Sequence, residues 1–228
     1  MVLKAPSSYR YSVTLGQPRE TKGRVYFSPK EVKHLAVAGL LVMAIGLSSL
    51  LYSNLLNIDW MYGLWVFGLF AVVLTASFLS HEIAHKVTAQ RRGLWAEFRL
   101  TTWGAILTLI SVISPLFKII SPGAVMISGN TSGKEMIRIS LAGPATNMLL
   151  SLILLGTALL SRLYLPQFYV VLMLAAFLNG FMAVFNLVPV GILDGFKIFS
   201  WDKKVWGLAF FASAALTIVT YVFVEGLV

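Results

Sequence analysis

Between Gly63 and Ser80 the chain carries no charged side chain, and the five residues that follow hold three ionisable ones, His81, Glu82 and His85. The uncharged run is close to the roughly 20 residues a helix needs to cross a bilayer. Ionisable groups at membrane depth cost about 2.5–3.5 kcal/mol each on insertion scales and mark function far more often than packing. His81-Glu82-Ile83-Ala84-His85 fits H-E-x-x-H. On a helix, positions i and i+4 share one face, so both imidazoles can hold one zinc ion. Glu82 projects about a quarter turn away, where it can take a proton from a metal-bound water. Chance matches to this pattern are common in soluble amphipathic helices, but the apolar run ahead of this one argues against chance.

The rest of the chain agrees with a membrane protein. Of its 228 residues 58% are hydrophobic and 12% charged, where soluble domains carry about 25% charged residues. The absence of cysteine excludes disulfides, thiolate zinc sites, iron–sulfur clusters and cysteine nucleophiles. A net charge of +9 would suit a nucleic-acid binder. In a membrane protein it instead reflects Lys and Arg gathered in cytoplasmic loops, so no nucleic-acid partner is expected. Residues 1–34 are polar and basic, with Lys4, Arg10, Arg19, Lys22, Arg24, Lys30 and Lys33. They are expected to form an N-terminal segment in which no cleavable signal peptide is apparent, and "YRYSVTL" and "GRVYFS" fit short strands or coil.

Spans are expected near 35–56, 63–93, 137–160, 168–188 and 205–224. The apolar stretch 101–120 is either a sixth span or a re-entrant hairpin, and "SPGAVMISG" after it has strand-like residues between glycines. Charge decides between the two. If 101–120 returns to its own side, all of the 18 Lys and Arg except Arg162 face the cytoplasm. If it crosses, Lys134, Arg138, Lys197, Lys203 and Lys204 move outside. The positive-inside rule favours the re-entrant insert, with the N-terminus cytoplasmic. The expected fold is an all-α polytopic membrane protein of about five to six transmembrane helices with a small membrane-associated β-segment. A segment 1–34 precedes a single membrane-embedded unit, 35–228, whose core is 63–200.

A catalytic zinc takes three protein ligands and keeps a position for water. The remaining histidine, His34, sits at the mouth of the first span and suits an interfacial role better. The third ligand should then be a carboxylate. Glu20 and Glu31 lie in the polar N-terminus, and Asp59 and Glu225 in external segments. Glu97 and Glu135 lie in basic loops, and Asp202 stands beside Lys203 and Lys204. Asp194 ends "FNLVPVGILDG", where Pro189, Gly191 and Gly195 break a span, and irregular backbone at that depth must be buried or line a cavity. It reaches the histidines only if an even number of crossings intervenes, which again returns 101–120 to its own side. Asn186 either contacts substrate backbone or a developing oxyanion, or makes a helix–helix hydrogen bond. Asn147 in "AGPATN" has the same two readings, and Gly143 and Pro144 mark a close helix contact.

HEIAH, "AGPATN" and "NLVPVGILDG" together resemble the site-2 protease family of intramembrane zinc metalloproteases, over roughly residues 63–200. The resemblance implies one zinc held by His81, His85 and Asp194, Glu82 as general base, and cleavage of transmembrane protein substrates near the cytoplasmic side of the bilayer. "PGAVMI" resembles the family's membrane β-segment, which implies that Gly123, Ala124 and Val125 pair with an unwound substrate strand. The insert 101–120 is longer than in compact members, and no PDZ-like or CBS-like module is expected. A zinc transporter or metal-sensing membrane protein is the alternative, but it gives no reason for a glutamate between the histidines. A catalytically silent scaffold has less support, since every expected catalytic residue is present.

Overall fold

A computed structural model describes residues 24–48, 60–114 and 120–225 of the protein. In chain order the elements are α1 (Pro29–Ser48), α2 (Trp60–Gln90), β1 (Trp95–Leu100), α3 (Thr102–Ile113) and β2 (Gly123–Ser128). Next come α4 (Gly133–Tyr164), α5 (Tyr169–Asn186), α6 (Asp194–Trp201) and α7 (Lys203–Glu225), with a 3-10 turn, Pro166–Phe168, ahead of α5. Five helices, α1, α2, α4, α5 and α7, hold stretches long and apolar enough to cross a membrane. Their outward faces are apolar: Leu40, Leu160, Leu163, Leu208 and Phe211 are all exposed. Such faces suit hydrocarbon and would aggregate in water. The chain is an all-α polytopic membrane protein with one small sheet.

Helix starts fall earlier than apolarity alone suggests. Helix α1 begins at Pro29 rather than 35, and the expected end of that span lies outside the described residues. Helix α4 begins at Gly133 rather than 137, because Ser132 and Glu135 form a capping box. The Ser132 hydroxyl accepts from the Glu135 N–H at 3.4 Å, and the Glu135 carboxylate accepts from the Ser132 N–H at 2.9 Å. Of the two N-terminal strand candidates, "YRYSVTL" lies outside the described residues. The described part of "GRVYFS", residues 24–28, is irregular.

The insert returns on itself. Strands β1 and β2 are antiparallel and pair from Trp95 opposite Ser128 to Leu100 opposite Gly123, so segment 101–122 starts and finishes at adjacent points. The Thr101 N–H donates to Pro122 O at 3.1 Å, closing its base. Thr101 Oγ1 also caps α3 by accepting from the Gly104 N–H. At 12 residues, α3 is about 18 Å long, short of the roughly 30 Å hydrocarbon core. Its polarity is inverted: Thr108 and Ser111 are buried while Trp103 and Ile113 face outward.

The two sheet edges differ. The bond from Thr101 to Pro122 identifies one hydrogen-bonded pair, and antiparallel pairs alternate. Arg99 with Ala124 and Glu97 with Met126 therefore exchange backbone bonds. The backbone groups of Ala96, Phe98 and Leu100 point outward from β1, and those of Gly123, Val125 and Ile127 outward from β2. The outer edge of β1 is closed by side chains. Phe98 N–H donates to Glu31 Oε1 at 2.8 Å, and Leu100 N–H to His34 Nδ1 at 3.2 Å. Ala96 O accepts from Lys86 Nζ at 3.0 Å and Gln90 Nε2 at 2.8 Å.

Glu31, expected in a polar tail, is wholly buried and pairs with equally buried Lys86 at 2.7 Å. Gln90 also exchanges two hydrogen bonds with the Tyr26 backbone. Phe98 packs into a core with Ala38, Val42, Leu74 and Phe78, which fixes β1 against α1 and α2. The outer edge of β2 has no backbone partner among the described residues.

Candidate metal centre

His81 and His85 lie on one face of α2 (Trp60–Gln90), about 14 and 8 Å from its C-terminal end at 1.5 Å per residue. Both are buried, as is Asp194. Asp194 opens α6, in the first turn, where the helix dipole favours a negative charge. The turn that delivers it runs through Pro189 and Gly191, and Gly191 has φ +62°, a conformation open to glycine at little cost. Two full-length helices, α4 and α5, separate this turn from the sheet, so Asp194 returns to the level of the histidines. Asp194 Oδ2 stands 2.9 Å from His85 Nε2 and 3.5 Å from His81 Nε2, and the two Nε2 atoms are 3.0 Å apart.

The hydrogen-bond network fixes what those atoms are. Asn179 Nδ2 donates to Ala175 O at 2.9 Å and to Ser77 Oγ at 2.9 Å. A carbonyl can only accept, so the Asn179 amide orientation is settled and its Oδ1 is free to accept. Asn147 Nδ2 donates to that oxygen at 3.0 Å, which turns Asn147 Oδ1 toward His81 Nδ1. His81 must then carry its proton on Nδ1. His85 Nδ1 likewise faces Ile139 O at 2.7 Å.

With Nδ1 of each ring engaged by an outer partner, both imidazoles direct Nε2 inward, where a carboxylate oxygen faces them. Two imidazole nitrogens and a carboxylate oxygen converge, which is a ligand set that could hold a cation. Outer partners that orient ligand histidines in this way are characteristic of metal centres. Among the described residues, this is the group of His and carboxylate side chains that can hold a metal ion. The set of two imidazoles and a carboxylate, all buried, suits zinc. Gly143 of α4 admits the pair: a Cβ there would run into the Nε2 atoms of both histidines.

Glu82 lies on the next position of the same turn, and the Val125 N–H acts on its carboxylate electrostatically. That N–H is one of the outward groups of β2, so the glutamate stands beside the open sheet edge. Gly123 also directs its backbone to that edge, whereas Ala124 directs its own toward β1. Asn147 is wholly buried with both amide ends engaged. Asn186, half-buried at the end of α5, donates to Met182 O in its own helix at 2.9 Å. None of its hydrogen bonds reaches the ligand cluster.

The residue that orients the whole relay, Asn179, was not among the sequence candidates. An amide in the middle of "VLMLAAFLNGFMAVF" was a usable signal, because a polar side chain inside an apolar span needs partners. Lys197, whose Nζ is 3.1 Å from Asp194 Oδ1, was counted only for topology.

Comparison with known proteins points to zinc as well. "Putative zinc metalloprotease MJ0611" of Methanocaldococcus jannaschii is 29% identical over 185 residues, covering 80% of this chain and 90% of that protein. "Putative zinc metalloprotease Rip3" of Mycobacterium tuberculosis, in strains Erdman and H37Rv alike, is 34% identical over 131 residues. That match covers 56% of this chain and 29% of the mycobacterial protein. The resemblance to the site-2 protease family stands. Homology thus supports a metalloprotease, and zinc as its metal, independently of the geometry. No family model matches the chain, and no solved structure matches it.

Proposed function

We propose that the chain is an intramembrane zinc endopeptidase that hydrolyses peptide bonds within or beside transmembrane segments of other membrane proteins. The observation that carries this reading is the convergence of His81 and His85 Nε2 with Asp194 Oδ2, with the histidines and Glu82 on a helix long enough to span a bilayer. His81, His85 and Asp194 would hold one zinc ion per chain. Bound zinc supplies Lewis acidity and an acidified water. Glu82 is the general base that takes the proton from the attacking water, and it later returns that proton to the leaving amine. Asn147 acts through His81: by accepting from Nδ1–H it keeps Nε2 available as a ligand.

A transmembrane helix hides its peptide carbonyls in its own hydrogen bonds, so a substrate must unwind before it can be cut. The outward groups of Gly123, Val125 and Ile127 offer an unwound segment a strand to pair with. They lie on the edge that carries the Val125 contact to Glu82, and Asn186 is a further substrate contact in this proposal. Charge distribution supports a cytoplasmic N-terminus and a site that opens to the cytoplasm. A zinc transporter would need ligands spaced along a path, and only one converging group is found among the described residues.

The test is Glu82→Gln in purified protein. The variant should keep one zinc per chain by metal analysis and lose cleavage of a model transmembrane substrate. Cleavage at the wild-type rate would remove Glu82 from the chemistry and with it this mechanism.

A further inference from the structure

Asp194 has two carboxylate oxygens, and they are treated differently. Oδ2 faces the histidine pair at 2.9 and 3.5 Å. Oδ1 accepts from Lys197 Nζ at 3.1 Å, one turn further along α6. The Asp194 side chain is 10% exposed and that of Lys197 46%, so the ammonium keeps much of its hydration and can reach the carboxylate without being buried itself. A cation beside the ligands of a cation opposes tight binding electrostatically. A site shaped only for affinity would not place one there, so its presence calls for a chemical reason.

The reason lies in coordination number. A carboxylate can grip zinc through one oxygen or through both, and a second oxygen would raise the coordination number from four to five and crowd the position that a catalytic zinc keeps for water. We propose that Lys197 is a positioning residue that occupies Asp194 Oδ1, holds the carboxylate to single-oxygen ligation and so preserves the water position. Lys197 acts through Asp194 and need not touch substrate. The inference rests on the zinc site proposed above.

The experiment uses the full chain in detergent, loaded with Co2+ in place of zinc, because the visible absorption of Co2+ reports coordination number. Wild type, Lys197→Met, Lys197→Arg and His81→Ala are compared, with metal stoichiometry measured for each. Wild type should give the intense bands of a four-coordinate centre. Lys197→Met should keep one metal per chain while its band intensity falls by about half or more, as five-coordinate centres form. Lys197→Arg should restore the wild-type spectrum, since a guanidinium can also hold Oδ1. A Lys197→Met spectrum identical to wild type, or loss of metal from that variant, would overturn the role of Lys197 while leaving the zinc site standing. A wild-type chain whose Co2+ spectrum is unaffected by His81→Ala would overturn both.

Discussion

Glu31→Gln is the sharpest test of how the sheet is held. Glu31 Oε1 accepts from the Phe98 N–H at 2.8 Å, and Oε2 accepts from Lys86 Nζ at 2.7 Å. Glutamine preserves the shape but has one acceptor, so it must turn an N–H toward either a backbone N–H or an ammonium. Lys86 is 1% exposed and would keep only Ala96 O and the face of Phe27, 4.5 Å away. Leaving one half of a buried ion pair uncompensated costs about 3–5 kcal/mol. At about 1.4 kcal/mol per factor of ten, that is roughly two to nearly four orders of magnitude in the unfolding equilibrium. Denaturant titration in mixed micelles measures it. Adding Lys86→Met removes the stranded cation, so the double variant should be more stable than Glu31→Gln alone. A loss below about 1 kcal/mol for Glu31→Gln, the size expected of an exposed pair, would refute the claim that this pair anchors β1.

Two further outcomes follow from the site. Asn147→Leu removes the acceptor from His81 Nδ1 and leaves Asn179 Oδ1 unpaired, so zinc affinity by competitive chelation should fall about 10–100-fold; unchanged affinity would contradict the tautomer relay. Ile127→Pro deletes one outward N–H from the free edge of β2, a position where proline is tolerated. It should lower cleavage of a transmembrane substrate about tenfold, the worth of one hydrogen bond near 1–1.5 kcal/mol, with zinc content unchanged; full activity would argue against strand pairing there.

Much of this architecture was legible in the sequence, and the reasons are physical. The apolar runs locate α2, α4, α5 and α7 within a few residues, because hydrocarbon imposes length and composition together. The return of 101–120 followed from charge and from the level Asp194 must reach, and it appears as the closed base between Thr101 and Pro122. Strand β1 was missed because "WAEFRL" mixes charge with apolar residues, and its pairing depends on a partner more than 20 residues away. Helix α6 was missed because eight residues carry little periodic signal. Glu31 was misplaced for a different reason: a carboxylate among basic residues looks solvated until Lys86, 55 positions later, takes the space beside it. Asn179 orients Asn147 from 32 residues away, and neither amide can be assigned without the other.

The burial of Glu31 bears on the proposed activity as well as on stability. A two-stranded sheet has two edges, and an extended peptide can add to either unless one is closed. Glu31, His34, Lys86 and Gln90 engage the outward backbone groups of β1 with side chains from α1 and α2. The edge left over belongs to β2, and it is the edge whose Val125 N–H meets Glu82. An unwound segment that pairs with this sheet therefore has one place to go, and there its peptide bonds run beside the proposed base. On this argument the cluster around Glu31 selects the substrate's path by occupying the alternative, and the same residues that hold β1 in place decide which strand edge remains open.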